Sequence, residues 1–474
     1  MIKRYVSLLI LVATFFIVHA HLEEEKKYIV SGCYQYKDES ESQFYHPGTI
    51  FVLDINNQKL INQFKTLNEN TCGGLAYFEY AGAMRILARL WDEAIVIYNL
   101  DGSIFKTFQL PLSEIVSGTL FLAVADVAPF ASIPSLFPTA VNILRSDDDS
   151  LHILVGYRCG KIAVWDVNTG EYRCFDGNQS SEEKSYGITA FSLFADNGVV
   201  YVAAASCDGS VCIYNFKTGK KLETFTGFKN WVTSVAVFKD DTGFNVVAGA
   251  EDRTIQCWNI ESGQQKYIIK TLDHYSEGAQ VLPQSGQVEG FVLFKTGSKI
   301  FLAAIANNLD VVIYDAQTGA WVKSLVGHTN YVTDLRVYQD KESNRTKLVS
   351  ASYDATVRLW DFESGEQEHL FDQAELAVRN LCLFTDNNGH MCCAAALGSL
   401  QGAETGALGF IDLTNKTNSV GDSIGAWMQA VASCDQSFEP KSYVAISPNI
   451  PIGSYIGMDN LANIQVIDVS SSEQ

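Results

Sequence analysis

Short runs of alternating apolar and polar residues recur along the chain from about residue 28 to residue 469. In VTSVAVFKDDTGFNVVAGA (232–250) and VTDLRVYQDKESNRTKLVSAS (332–352), two such runs flank a polar turn. Alternation with a period of two predicts strands, and the Gly, Asn and Asp clusters between runs predict turns. Each hairpin leads into a second element of fixed form: a strand, a tight polar turn, a strand ending in an aromatic residue plus Asp or Asn, and a Gly turn. Five copies read YRCGKIAVWDVNTGEY (157–172), CDGSVCIYNFKTGKK (207–221), EDRTIQCWNIESGQQ (251–265), NNLDVVIYDAQTGAW (307–321) and YDATVRLWDFESGEQ (353–367). Their turn glycines, Gly170, Gly219, Gly263, Gly319 and Gly365, lie 49, 44, 56 and 46 residues apart. Weaker copies are GTIFVLDINNQK (48–59), EAIVIYNLDGS (93–103), GALGFIDLTNK (406–416) and LANIQVIDV (461–469).

Hairpin plus hairpin predicts a four-stranded antiparallel meander as the repeating unit. One such sheet alone leaves both faces in water, whereas stacking units in a ring buries the faces and closure hides the last edge. The first unit (28–64) shows three strands, as does the last (427–469), and the seven between show four each, giving 34 strands. That total falls between eight and nine blades of four; eight is the expectation, with seven and nine left open. The span 110–138, with prolines at 111, 129, 134 and 138, fits no unit and predicts an inserted loop.

The aromatic-plus-Asp/Asn signal with its T-G or S-G turn, five times in register, resembles the WD-repeat family of β-propellers over nearly all of residues 28–469. Trp165, Trp258 and Trp360 match the family's tryptophan, and Tyr98, Tyr214 and Tyr314 replace it. The resemblance implies an all-β propeller in which the first strand of the chain completes the last blade. It also implies a hydrogen-bonded set of His, Ser or Thr, Asp and Trp; here His328, Ser350 or Ser352, Asp354 and Trp360 match. A buried imidazole, carboxylate and indole N–H need mutual partners. Other units depart from this pattern: Gly227-Phe228 stands in place of Gly-His, so those blades rely more on packing. The family's partner-binding rim falls at Trp231 and Tyr331 before the first strand of a unit, and at Glu251 and Tyr353 before the second turn, with Lys229, Asn330 and Arg253 beside them. Rim aromatics and arginines are typical interface anchors.

The N-terminus carries a separate signal. Lys3 and Arg4 precede an apolar run from Tyr5 to Val18, and Val18-His19-Ala20 offers small or branched residues for a peptidase. This predicts a secretory signal peptide over 1–20, leaving 21–474 as one propeller. An apolar core of about fourteen residues falls short of the roughly twenty that span a bilayer, so no membrane insertion is expected after cleavage. Asn178, Asn344 and Asn415 each open an Asn-x-Ser/Thr sequon in an expected loop, which agrees mildly with secretion. The alternative is a cytosolic scaffold. It draws on eleven cysteines, an odd number, several of them in apolar strand runs where a thiol behaves as a small hydrophobe. Cys207 and Cys212 could instead face each other across a hairpin.

Charge and chemistry narrow the function. With 34 Lys plus Arg against 54 Asp plus Glu, the net charge of −20 argues against nucleic acid and anionic lipid, and for basic or neutral protein or peptide partners. No nucleophile elbow, zinc-protease helix, phosphate loop or dinucleotide fingerprint occurs, so no catalytic residue, metal site or cofactor is expected. His46, His152, His274, His369 and His390 show no ligand spacing. Gly402, Gly406 and Gly409 lack the following helix that a phosphate cradle requires, and Asp147-Asp148-Asp149 reads as a solvated turn rather than a calcium site. The reading is a non-catalytic interaction scaffold. A propeller hydrolase or a calcium-dependent lectin-like binder working through convergent carboxylates is the rival from another class.

Overall fold

The computed structural model describes residues 28–32, 49–54, 59–69, 72–90, 94–111, 138–145, 150–175, 187–274, 286–306, 309–372, 377–385, 389–398, 406–418, 443–446, 454–458 and 464–468. The expected leader, nearly all of the expected inserted loop, the Asp147–Asp149 run, His46 and Asn178 lie outside them. Among the described residues, 34 strands form seven sheets of four strands and one of six, all antiparallel.

The first sheet contains β1 (Tyr28–Gly32), β2 (Thr49–Asp54) and β3 (Lys59–Lys65). The second is β4 (Cys72–Tyr80), β5 (Ala83–Leu90), β6 (Ile95–Asn99) and β7 (Ile104–Phe108). The third is built on β8 (Pro138–Arg145), β9 (Leu151–Tyr157), β10 (Ile162–Asp166) and β11 (Tyr172–Phe175). The fourth is β12 (Ile188–Asp196), β13 (Val199–Ser206), β14 (Val211–Asn215) and β15 (Lys221–Phe225). The fifth is β16 (Val232–Asp240), β17 (Gly243–Ala250), β18 (Thr254–Asn259) and β19 (Gln265–Lys270). The sixth is β20 (Gly290–Thr296), β21 (Lys299–Ile305), β22 (Val311–Asp315) and β23 (Trp321–Leu325). The seventh is β24 (Val332–Gln339), β25 (Thr346–Ser352), β26 (Val357–Asp361) and β27 (Gln367–Phe371). The eighth is β28 (Ala377–Thr385), β29 (Met391–Gly398), β30 (Gly406–Asp412) and β31 (Thr417–Asn418). Three strands remain: β32 (Tyr443–Ile446), β33 (Ser454–Met458) and β34 (Ile464–Asp468).

Seven sheets are thus regular four-stranded blades of a propeller ring, and the third is widened to six strands. The last unit read from the sequence is not a blade. Its first strand, β32, pairs with β1 and completes the first sheet. The other two form a hairpin on β8, with Tyr455 opposite Leu144 and Met458 opposite Val141. Alternation in 461–469 marks a strand correctly, but the hairpin it forms with β33 docks on whichever edge stands open, and β8 has one on the side away from β9.

Burial explains the composition of the strands. In the middle of a sheet both faces pack on neighbouring sheets, so β10 (IAVWD), β14 (VCIYN) and β22 (VVIYD) are buried at every position but the last. The fourth strand of a blade is the outer edge and is largely exposed, as in β15 (KLETF), where Phe225 alone is buried. Apolar clusters form between successive sheets; one joins Leu154, Ile162 and Phe175 of the third to Phe191, Leu193 and Tyr214 of the fourth. Gly156 marks how close this packing is: a Cβ there would stand 2.6 Å from Ile188 Cγ2.

The outer strands also clasp the next sheet. Two residues before its terminal apolar residue, each of five outer strands carries a donor to the first carbonyl after the third strand of the following sheet. Asn62 donates to Leu100 O at 2.9 Å, Tyr267 to Ala316 O at 2.7 Å and Lys323 to Phe362 O at 2.6 Å. Lys106 reaches Val167 O and Arg173 reaches Phe216 O. Glu223 occupies the same register in β15, opposite Ile213 as Lys323 is opposite Ile313, and an ionised carboxylate cannot donate. Glu223→Lys is therefore expected to add a sixth clasp worth about 1 kcal/mol net, raising the calorimetric Tm by roughly 1–2 °C. No rise, or a rise equalled by Glu223→Ala, which removes the charge without adding a donor, counts against the clasp.

Candidate functional site

The recurrent aromatic-Asp/Asn-x-x-Thr/Ser-Gly motif builds one turn five times. In each turn the Asp or Asn Oδ1 accepts from the backbone N–H three residues on: Asp166 from Thr169, Asn215 from Thr218, Asn259 from Ser262, Asp315 from Thr318 and Asp361 from Ser364, all at 2.8–3.0 Å. The glycine then takes φ between +67° and +78°, which an L side chain resists. This turn and the one between the first two strands lie on one face of the ring. The loop entering each blade and the turn between its second and third strands lie on the other, which is the rim expected to bind.

At the seventh sheet that rim is locked by the expected side-chain set. His328 Nδ1 lies 2.9 Å from Asp354 Oδ2, His328 Nε2 lies 2.7 Å from Ser350 Oγ, and Trp360 Nε1 donates to Ser350 Oγ at 2.9 Å. The two serines, alternatives in the sequence, divide the work. Ser350 joins His328 to Trp360, whereas Ser352 Oγ donates to Asn330 O at 3.0 Å and accepts from Asp354 N at 3.0 Å, holding loop to turn. Burial pushes the His328 imidazole down, against the pull of Asp354, so it is neutral. Burial opposes the charge on Asp354, but hydrogen bonds from His328, Thr356 and Thr329 N outweigh it and hold the carboxyl below the usual range. The consistent assignment is an Nδ1–H donating to Asp354, with Ser350 donating to Nε2. In the fifth sheet Phe228 replaces the imidazole and packs edge-on against Trp258, ring centroids 5.7 Å apart.

Around the rim the loops are fixed by repeated backbone bonds. Cys207 N donates to Gly187 O at 2.9 Å, Glu251 N to Trp231 O at 3.0 Å and Tyr353 N to Tyr331 O at 3.0 Å. Asn230 and Asn330 place Oδ1 on the N–H of Trp231 and Tyr331, and Lys229 N donates to Asp252 Oδ2 at 2.8 Å. Arg253 sits in the turn at φ +70°, its carbonyl taken by Thr271 N. A Cβ on Gly209 would come within 2.8 Å of Phe228 O, so the turn of the fourth sheet presses on the entry loop of the fifth. On this rigid frame the two aromatics differ. Trp231 is 51% exposed, whereas Tyr331 is half-buried, with a phenolic oxygen inside the structure. Tyr353, Glu251, Arg253 and Asn330 are half-buried; Lys229 is exposed.

The rim around Trp231 is acidic. Burial raises the Glu251 carboxyl, and the neighbouring Glu289 carboxylate raises it further. Burial, Glu251 and Asp208 push the Cys207 thiol up to about 11, so it is not a thiolate nucleophile. Glu289 carries no signal in the sequence, and Cys207 stands out there only as a hairpin thiol; aligning the units on their turn glycines places Cys207 where Glu251 and Tyr353 stand. Cys207 is a free thiol, so it is not bridged to Cys212. Among the described residues no group of three His, Cys, Asp or Glu could hold a metal ion, and no helix is long and apolar enough to cross a membrane.

Residues 219–259 and 319–361 match the family model described as WD domain, G-beta repeat. The chain is 21% identical over 283 residues to a guanine nucleotide-binding protein subunit beta of Arabidopsis thaliana, covering 57% of this chain and 64% of that protein. A subunit of the same description from Nicotiana tabacum is 22% identical over 280 residues, covering 58% and 66%. The nuclear distribution protein PAC1 of Coccidioides posadasii is 27% identical over 167 residues, 34% of each chain. The chain thus covers less than two thirds of the length of each of these relatives. Among solved structures, the computationally designed Ika8 protein superposes with a TM-score of 0.52 at 19% identity, covering 84% of this chain and 97% of that one, a likeness of fold.

Proposed function

We propose that this β-propeller, whose residues 219–259 and 319–361 match the WD repeat, is a non-catalytic scaffold holding a protein or peptide partner on the rim around Trp231, in the secretory pathway or outside the cell. One observation carries the reading: an indole half in water on a loop that hydrogen bonds fix on both sides. A rigid exposed aromatic loses little entropy on docking and is the usual centre of an interface. Glu251 and Glu289 beside it, and a net charge of −20, favour a basic or neutral partner and an association that weakens with salt. The relatives described as beta subunits are parts of assemblies, which supports the scaffold reading. The first twenty residues support the compartment.

Trp231→Ala is expected to weaken binding of the partner recovered with the wild-type chain at least tenfold, an ordinary hot-spot effect of about 1.4 kcal/mol or more. Its melting temperature should stay within about 1 °C of wild type, because an exposed side chain contributes little to the fold. Isothermal titration and a thermal melt on the same preparation test both; unchanged affinity refutes the rim assignment. The free thiols of Cys207 and Cys257 favour a second reading, a cytosolic scaffold. A mature N-terminus at His21 eliminates it.

A further inference from the structure

We infer that Asn344 bears an N-linked glycan, carried on the face of the ring opposite the partner rim. The inference rests on the secretory reading above, and it separates sequons that look equivalent in sequence. Asn344-Arg345-Thr346 lies at the tip of the turn joining β24 to β25, where residues 341–345 are all exposed. Asn344 has φ +53°, a conformation that Asn adopts more readily than other side chains do. Its hydrogen bond to Gln339 uses Oδ1 as acceptor, at 3.5 Å, and leaves the amide nitrogen out. A sugar on Nδ2 therefore disturbs no contact described in the turn.

Asn415 is the contrasting case. Its Nδ2 donates to Asp412 Oδ2 at 2.7 Å and lies 3.3 Å from His390 Nδ1, while its backbone N–H donates to Asp412 Oδ1 at 2.9 Å. Here the amide is part of the Asp-anchored turn that ends the third strand, and a glycan would take one of its two N–H positions.

Both turns sit away from the Trp231 rim. The turn after the first strand of a blade and the turn after the third share one face, by antiparallel alternation. A glycan on Asn344 therefore crowds that face and leaves the rim open.

The step transfers an oligosaccharide from a lipid diphosphate donor. The Asn344 Nδ2 forms a bond to the anomeric carbon, the bond from that carbon to the diphosphate oxygen breaks, the lipid diphosphate leaves with the electron pair, and one amide proton is lost. Timing follows from burial. Thr346 is only 2% exposed, and its hydroxyl is engaged by Gln339 and Thr296, so the sequon can be read only before the seventh sheet packs on the sixth.

The test is translation of the chain with microsomal membranes, in two arms. In one, residues 21–474 follow a proven cleavable leader; in the other, the chain keeps its own N-terminus. In the first arm the Asn344 peptide should convert to Asp on amidase release of the glycan. Asn344→Asp, which also tolerates the positive φ, should lose one glycosidase-sensitive mobility step and still melt like wild type. A protease-protected chain whose Asn344 peptide is unmodified overturns the inference. The second arm reports on the compartment: modification with the proven leader but no protection with the native N-terminus defeats the secretory reading while leaving the Asn344 assignment standing.

Discussion

Trp360→Ala is expected to destabilise the protein by about 3–5 kcal/mol, a large part of a typical net stability of about 5–15 kcal/mol. Trp360 is only 1% exposed and fills the space between the sixth and seventh sheets with Leu325, Val332 and Leu348. Its loss leaves a cavity and strips Ser350 of its indole donor. Ser350→Ala removes little volume but leaves the indole N–H and His328 Nε2 without their bonds, so a loss of about 1–3 kcal/mol is expected. Urea midpoints of the two variants separate packing from hydrogen bonding; a Trp360→Ala loss no larger than that of Ser350→Ala rejects the packing account. The same set gives the pH dependence its sign. His328 has a depressed folded pKa, so the unfolded chain binds the extra proton and stability falls as pH drops below about 6.5. Asp354 is depressed as well, so a second loss sets in below the ordinary carboxylate range. In His328→Phe, which puts at this position the ring that Phe228 supplies in the fifth sheet, the first loss should be absent.

The second large effect is at Asp334. Its side chain is fully buried, 2.9 Å from Arg336 Nη2, and it accepts from Leu335 N at 2.7 Å and from Leu381 N at 2.6 Å. Arg336 Nε returns a bond to Leu381 O at 3.0 Å, so one ion pair ties β24 to β28 of the next sheet. Asp334→Ala strands a half-buried guanidinium and two backbone donors, and a loss of about 3–5 kcal/mol is expected. Replacing both partners, as Asp334→Leu with Arg336→Met, removes the stranded charge and should recover a measurable part of that loss. If the double variant is as unstable as the sum of the singles, the pair is not coupled.

How much of this is legible in the chain follows from how local each feature is. The Asp-Gly turns are visible because every partner of the anchoring side chain and of the glycine lies within four residues, and their strands because apolar residues run up to each turn. The His328 set is visible through a family resemblance that spans one blade. The end of the chain misleads because β32, β33 and β34 look alike in sequence, and only distant edges decide that the first pairs with β1 and the second with β8. Trp231 and Tyr331 occupy matching places, yet their exposure is set by neighbouring loops that no local pattern encodes. The clasps by Lys106, Arg173 and Lys323 read as solvated charges on an outer strand, because their acceptors are carbonyls of the next sheet.

The pairing of Gly32 with Tyr443 puts the two ends of the chain into one sheet. A ribosome adding roughly 5–20 residues per second needs on the order of 20–80 s to pass from one strand to the other. For that interval the first three strands wait with an unsatisfied backbone edge, the kind of surface that recruits holding factors or other nascent chains. Closure of the first sheet therefore waits until β32 has been made, and a ribosome stalled before β32 leaves a molecule whose weakest point is its oldest segment.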